Sequence, residues 1–308
     1  MITGIVTKTM GSLFMVLSET GETMECRVRG KIRLEGSRST SPVVVGDRVD
    51  VEQDSKTLAY VISHIHERKN HILRKSINLS KQTHVLAANI DQAVIIATLA
   101  FPITSLHFID RYLVTCEAYQ IPALIVFNKT DLLTPEQKDE MESIFAIYKK
   151  VGYSCLSVSA ETGENLDKLK ELLTGKISLL SGHSGVGKST LINKIEPLLR
   201  QKTQEISDYH LKGKHTTTFS EMFPLSEGGF IIDTPGIKGF GLYNVDPDEL
   251  FHFFPEMFRL TGQCQYNNCT HNHEPGCKIK EAIEKGEVSE SRYQSYLQMM
   301  FSDEGKHR

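Results

Sequence analysis

The chain has 308 residues, 40% of them hydrophobic and 24% charged, with a formal net charge of −3. That length calls for two or three domains, and the composition is that of a soluble globular protein. No apolar run approaches the roughly 20 residues of a membrane span, and "MITGIVTKTMGSLF" lacks a signal peptide's charged start and apolar core, so a cytoplasmic protein with no membrane partner is expected.

Residues 1–66 read as five short strands, "TGIVTKT", "SLFMVLS", "TMECRVRG", "VVVGDRVDV" and "AYVISHIH", divided by turn residues. Five strands in so short a stretch predict a small all-β barrel, an OB-fold, with an SH3-like barrel as the alternative. In "CRVRGKIR", Arg27, Arg29, Lys31 and Arg33 alternate with Cys26, Val28, Gly30 and Ile32. A strand's period of two puts the four cations on one face, which suits a nucleic-acid backbone. Residues 67–84 read as a basic linker in which Arg68, Lys69, Arg74, Lys75 and Lys81 oppose Glu67.

From residue 85 the pattern becomes strands alternating with amphipathic helices. "QAVIIATLA" (92–100) is continuously apolar, as a strand covered on both faces should be. A helix over "LHFIDRYLVTCEAYQ", the strand "PALIVFNKTD", a helix at about 135–150, the strand "SCLSVSA" and the helix "NLDKLKELL" follow. "KISLLSG" then leads into a glycine-rich loop and the helix "KSTLINKI", and "FSEMFPL" with "GGFIIDTPG" reads as a hairpin pair. The expectation is a mainly parallel α/β sheet over 85–243, with ligand loops at the carboxyl ends of its strands. Residues 244–308 read as a small helical domain. Its last helix, "ESRYQSYLQMMFSDE", carries a packing stripe of Tyr293, Tyr296, Leu297, Met300 and Phe301.

Four motifs lie at the predicted loops. Gly182, His183, Ser184, Gly185, Val186, Gly187, Lys188 and Ser189 complete a G-x-x-x-x-G-K-S phosphate loop, with Thr190 next. Its backbone N–H groups and the helix start would meet phosphate oxygens; Lys188 would reach the β- and γ-phosphates, and Ser189 would bind Mg²⁺. "NKTD" (Asn128–Asp131) selects guanine, because the Asp131 carboxylate can accept from N1 and N2 together while adenine lacks that donor pair. Asn128 would contact the other base edge and tie the loops, and the Lys129 stem would lie along the ring. In "SAETG", Ser159 and Ala160 match the loop that meets the guanine carbonyl. In "DTPG", Asp233 would hold Mg²⁺ through water and the Gly236 N–H would meet the γ-phosphate. "GKHTTT" (213–218) reads as switch one, where Thr217 is favoured as the Mg²⁺ ligand, with Thr216 and Thr218 open.

The order is rotated: the base loops precede the phosphate loop instead of following it. Joining the usual termini and cutting after the second switch gives this order on the same sheet, and residues 85–240 resemble the circularly permuted GTPases. The new ends then lie near switch two, so its movement would reorient the flanking domains. Where Ras-type enzymes carry a water-orienting glutamine, this chain has Ile237. Slow intrinsic hydrolysis completed by a partner is therefore expected, with His215 a candidate for placing or deprotonating water.

Of six cysteines, Cys26, Cys116 and Cys155 are scattered and read as buried small hydrophobes, while Cys264, Cys269 and Cys277 fall within fourteen residues. With His271 they make a closed Cys₃His set of the structural Zn²⁺ type; His273 is the alternative fourth ligand.

Together these motifs, from the OB-fold through GHSGVGKS, NKTD, DTPG and HTTT to the cysteine spacing, resemble the ribosome small-subunit-dependent GTPase A family. The resemblance spans nearly the whole chain, and Ile237 agrees with that family's hydrophobic replacement of the glutamine. It implies a monomeric cytoplasmic enzyme that binds ribosomal RNA and acts late in small-subunit maturation. It also implies that the subunit stimulates GTP hydrolysis. A small-molecule kinase would have no use for NKTD; a nucleotide-gated RNA-binding scaffold is the other reading.

Overall fold

The computed structural model describes residues 1–29, 42–55, 57–75, 83–197, 221–233 and 246–301. Strands β1 (Ile2–Met10), β2 (Leu13–Ser18), β3 (Thr23–Val28), β4 (Arg48–Gln53) and β5 (Tyr60–Ile65) close on themselves in the order β1-β2-β3-β5-β4-β1. Only the β3–β5 pair is parallel. This closed, five-stranded, OB-like barrel answers the choice against the SH3-like alternative. Alternation does the sorting: Met24 and Cys26 point into the barrel core with Val6, Phe14, Val16, Val49, Val51 and Ile62, while Glu25 and Arg27 face out. Arg29 is also exposed and pairs with Glu52 at 3.1 Å; Lys31 and Arg33 lie outside the described residues.

The stretch read as a linker is more ordered than its charge suggested. β6 (His71–Lys75) and β7 (Thr83–Ala88) form an antiparallel pair, because Ile72, Val85 and Ala87 alternate into buried positions. Arg68 is not a solvated cation either. It grips wholly buried Asp47 bidentately, Nε–Oδ1 at 2.6 Å and Nη2–Oδ2 at 2.7 Å, and Lys69 pairs with Asp91.

The second part is an α/β layer structure. β8 (Gln92–Ala97), β9 (Ala123–Phe127), β10 (Ser154–Ser157), β11 (Ile177–Ser181) and β13 (Phe230–Asp233) run parallel in the order β10-β9-β8-β11-β13, and β12 (Glu221–Pro224) adds an antiparallel edge. β8 explains its continuous apolar run. Ala93, Ile95 and Ala97 pack with Ile109, Leu113 and Cys116 of α1 (Leu106–Ala118) and with Ile144, Phe145 and Tyr148 of α2 (Pro135–Val151). Val94 and Ile96 face the other way, against Leu169 and Leu173 of α3 (Leu166–Leu173) and Leu191 and Ile195 of α4 (Lys188–Ile195). Each large side chain so buried contributes roughly 1.5–3 kcal/mol. Thr134 starts α2 with a reciprocal capping box to Gln137, and Pro135 takes the first helical position.

The barrel and the α/β sheet are hydrogen-bonded into one: β1 pairs with β12 at Lys8–Glu221, and those side chains form an ion pair at 3.0 Å. The C-terminal region is less helical than its sequence suggested. A 3₁₀ segment (Pro247–Phe253), α5 (Pro255–Phe258), α6 (Lys278–Glu284) and α7 (Glu290–Phe301) flank a loop-built centre. On α7, Tyr293 and Tyr296 are buried as expected, but Phe301 is 61% exposed and Arg292 is fully buried. Among the described residues, no helix is long and apolar enough to cross a membrane.

Candidate nucleotide site and Cys/His cluster

The loops leaving β9, β10 and β11 meet at the carboxyl edge of the sheet, and Asn128 ties them. Its Nδ2 donates to Val186 O at 2.9 Å in the phosphate loop, and its Oδ1 accepts from Ala160 N at 3.1 Å in the loop after β10. The side chain is thus spent on holding loops together. Beside it, Lys129 takes a left-handed φ of 65° and extends its Nζ to Phe101 O at 2.6 Å. The exposed Asp131 carboxylate is aimed by the Ser159 hydroxyl, which donates to Oδ1 at 2.5 Å and itself accepts from Thr162 N at 3.1 Å.

The phosphate loop needs glycine for lack of room. A Cβ on Gly182 would stand 2.3 Å from Ile96 O, and one on Gly187 would stand 2.4 Å from Asn128 Nδ2; both residues have positive φ. Val186 plugs the core beneath the loop, leaving Ser184, Gly185, Ser189 and Thr190 at the surface. Lys188 opens α4 and curls over the loop, donating to Gly182 O at 2.5 Å and His183 O at 2.8 Å. His183 lies against Phe108; burial and then the Lys188 and Arg111 charges hold its imidazole below the usual range.

Of the remaining predicted positions, Asp233 is present as backbone, ending β13 opposite Leu180 and Glu221. His215, Thr216, Thr217, Thr218, Gly236 and Ile237 lie outside the described residues. Sequence reasoning missed the turn after β8. Thr98 N donates to Thr104 Oγ1 at 3.1 Å, Phe101 O accepts from Lys129, and Pro102 Cδ lies 3.4 Å from where a Gly185 Cβ would be. No motif marks this turn.

Cys264, Cys269, His271 and Cys277 converge, their ligand atoms all within 4.8 Å of one another. His271 presents Nδ1, at 3.6 Å from the sulfurs of both Cys264 and Cys277. The donor set fits a soft divalent cation. Burial pushes the Cys269 thiol up to about 12 and raises that of Cys277, so thiolates here call for a positive charge between them. Burial also keeps His271 neutral, as a ligand must be. His273, the alternative, is exposed and outside the cluster. Glu274 shapes the loop: burial pushes its carboxyl up, but hydrogen bonds from Thr270, Asn272 and His273 outweigh that and hold it at about 2.

A family model described as RsgA GTPase matches residues 65–243, and one described as RsgA N-terminal domain matches residues 3–61. A protein of Bacteroides fragilis named small ribosomal subunit biogenesis GTPase RsgA is 51% identical over 99% of this chain and 98% of its own length. The chain belongs to the RsgA GTPase family. An RsgA protein of Flavobacterium johnsoniae is likewise 51% identical, over 100% of this chain and 95% of its own. Among solved structures, YjeQ from Thermotoga maritima superposes with a TM-score of 0.78 at 35% identity, covering 97% of both chains. YloQ, described as a circularly permuted GTPase, gives 0.76 at 27% identity over 97% of this chain and 94% of its own. RsgA architecture thus accounts for the rotated motif order: strand β11, which feeds the phosphate loop, sits between β8 and β13, and the base-loop strands β9 and β10 precede it in the chain.

Proposed function

We propose that this GTP hydrolase acts in maturation of the small ribosomal subunit, with Asp131 reading guanine and Lys188 the β- and γ-phosphates. The observation that carries the nucleotide reading is the double use of Asn128, which draws the NKTD, SAETG and phosphate loops to one edge of the sheet. Ser159 and Ala160 face the guanine carbonyl, and the Lys129 stem covers the ring. The amides of Gly182 to Ser189, with Thr190 behind them, cradle the phosphates. Ser189 and Thr217 are the assigned Mg²⁺ ligands, with Asp233 acting through water. When bound, Mg²⁺ would neutralise charge on the β- and γ-phosphate oxygens. The Gly236 N–H is assigned to the γ-phosphate and His215 to the attacking water.

Ile237 offers no hydrogen bond, so the chain alone turns over slowly and a partner completes the site, worth about 10³–10⁵ in rate in comparable enzymes. The names of its relatives support the small subunit as that partner. The outward face with Arg27 and Arg29 suits ribosomal RNA. Arg68 is withdrawn from that role by its buried bond to Asp47. Cys264, Cys269, His271 and Cys277 hold one structural Zn²⁺, which leaves no position open for catalysis. The assigned units are a barrel at 1–66, a basic connection at 67–84, the permuted GTPase domain at 85–243 and a zinc-binding region at 244–308, in a monomeric, cytoplasmic protein.

The test is GTP turnover by the purified chain, alone and with small or large ribosomal subunits, using ATP as the control. Slow turnover that rises strongly with small subunits only is expected. Fast turnover by the chain alone, or indifference to subunits, would mean that the water is positioned from within.

A further inference from the structure

Helix α1 touches two sites at once. Near its start, the Phe108 ring lies on the His183 imidazole of the phosphate loop, centroids 3.7 Å apart and planes 30° apart. Two residues on, Asp110 is fully buried; its Oδ1 accepts from Arg292 Nη1 at 2.8 Å and from the Tyr148 hydroxyl at 2.9 Å. One turn further, Val114 belongs to the C-terminal apolar cluster with Phe254, Met257 and Tyr296. Phe108 to Val114 spans about 9 Å of helix.

Arg292 comes from α7 and is held from three sides. Glu256 binds it bidentately at 2.7 and 3.0 Å, Asp110 takes Nη1, and the Phe254 ring centroid lies 4.8 Å from its guanidinium carbon. Such a buried cluster adds little stability over an apolar replacement, but it joins α1, α5 and α7 through one guanidinium. α7 then grips the Cys/His loop, the Tyr293 hydroxyl donating to His271 O at 2.8 Å and the Tyr296 hydroxyl to Thr270 O at 2.7 Å. The contacts run unbroken from the phosphate loop through Phe108, Asp110 and Arg292 to the backbone of a cysteine-cluster ligand.

We infer that α1 couples the nucleotide site to the C-terminal region, with Phe108 as the positioning residue: nucleotide on the phosphate loop stiffens α7 and the loop it holds. This rests on reading Gly182–Ser189 as a nucleotide site. Coupling of this kind is reciprocal, and it needs no large displacement, because a ligand that orders one end of a packed chain lowers the cost of ordering the other. Val114 and Asp110 fix α1 to the C-terminal core, so restraint of its first turn is passed toward α7.

The test is hydrogen–deuterium exchange of α7 amides in the full-length, metal-loaded protein, with and without saturating GDP, beside a GDP titration. GDP is expected to slow α7 exchange about fivefold or more. At saturating GDP, Phe108→Ala and His183→Ala should each lose that slowing, the double variant should lose no more than either, and Phe108→Tyr should retain it. If Phe108→Ala loosens β8 as well, it is misfolded, and Phe108→Leu carries the test. The inference is overturned if GDP binds and α7 exchange in the unaltered protein is unchanged, or if Phe108→Ala keeps the full effect. Failure of GDP to bind at all would instead remove the nucleotide reading on which it stands.

Discussion

Replacing Gly182 by alanine perturbs the phosphate loop at its stiffest point. The residue has φ +144°, and an added Cβ would lie 2.3 Å from Ile96 O and 3.1 Å from Val186 Cγ2. Ile96 belongs to β8, which is bonded on both sides, to β9 and β11, so its carbonyl cannot retreat. The loop itself must move, by about 1 Å to reach ordinary van der Waals contact. Holding an L-residue in that backbone region adds roughly 1–3 kcal/mol of strain. A 1 Å displacement of positioned groups can cost about 10²-fold. GDP affinity should therefore fall about 10- to 100-fold, and the unfolding midpoint should drop by about 2–4 °C per kcal/mol of strain. Gly152→Ala separates the two effects. Gly152 follows α2 at φ +122° with open space around its would-be Cβ, so it meets strain without collision. Titration with a fluorescent GDP analogue and a thermal melt of both variants decide the matter. Wild-type affinity in Gly182→Ala, or an equal loss in Gly152→Ala, would refute the reasoning.

Asp131→Asn removes the charged acceptor for the guanine N1 and N2 donors; GDP should bind about 10²–10³-fold more weakly while ATP binding, expected to be weak, is unchanged, as competition titrations would reveal. Metal analysis of the purified chain should find one zinc per molecule, and Cys269→Ser should lose it together with protection of the loop around Glu274. Arg68→Met leaves Asp47 charged and buried, which should cost about 3–5 kcal/mol in denaturant unfolding. Arg27→Ala should leave stability intact but lower the salt slope of RNA binding by about 1; an equal RNA effect from both would contradict the separation. Small-angle scattering should differ between GDP and a non-hydrolysable GTP analogue, and superimposable curves would remove support for reorientation of the flanking regions.

The parts of this molecule governed by local pattern were legible in the sequence. Cys26 and Met24 alternate with exposed neighbours, β8 is apolar throughout because helices cover both its faces, and Gly182 and Gly187 of the phosphate loop sit where a Cβ would strike backbone or Asn128. What escaped was set by partners distant in sequence. Arg68 looks like part of a basic run until Asp47, 21 residues away, is found beneath it. Arg292 interrupts the apolar stripe of α7, yet Asp110 lies 182 residues earlier and makes it the most buried charge of the region. Phe301 continues the helical period but is left 61% exposed among the described residues. Periodicity states which face a side chain takes; it does not state what stands opposite.

The rotated order of motifs also places the barrel next to the strand pair that ends in DTPG. Among the described residues its attachment is double. One hold is deep: Val45 enters the main core, Ala88 N donates to Val45 O at 2.9 Å, and neighbouring Asp47 is clamped by Arg68. The other, among the described residues, is the pairing of β1 with β12 at Lys8–Glu221, whose side chains remain about a quarter exposed and form an ion pair worth roughly 0–1 kcal/mol. Glu221 in turn stands in register with Asp233, the first residue of DTPG, on β13. One strand, β12, thus separates Asp233 from the barrel, and this is the route that the scattering comparison tests.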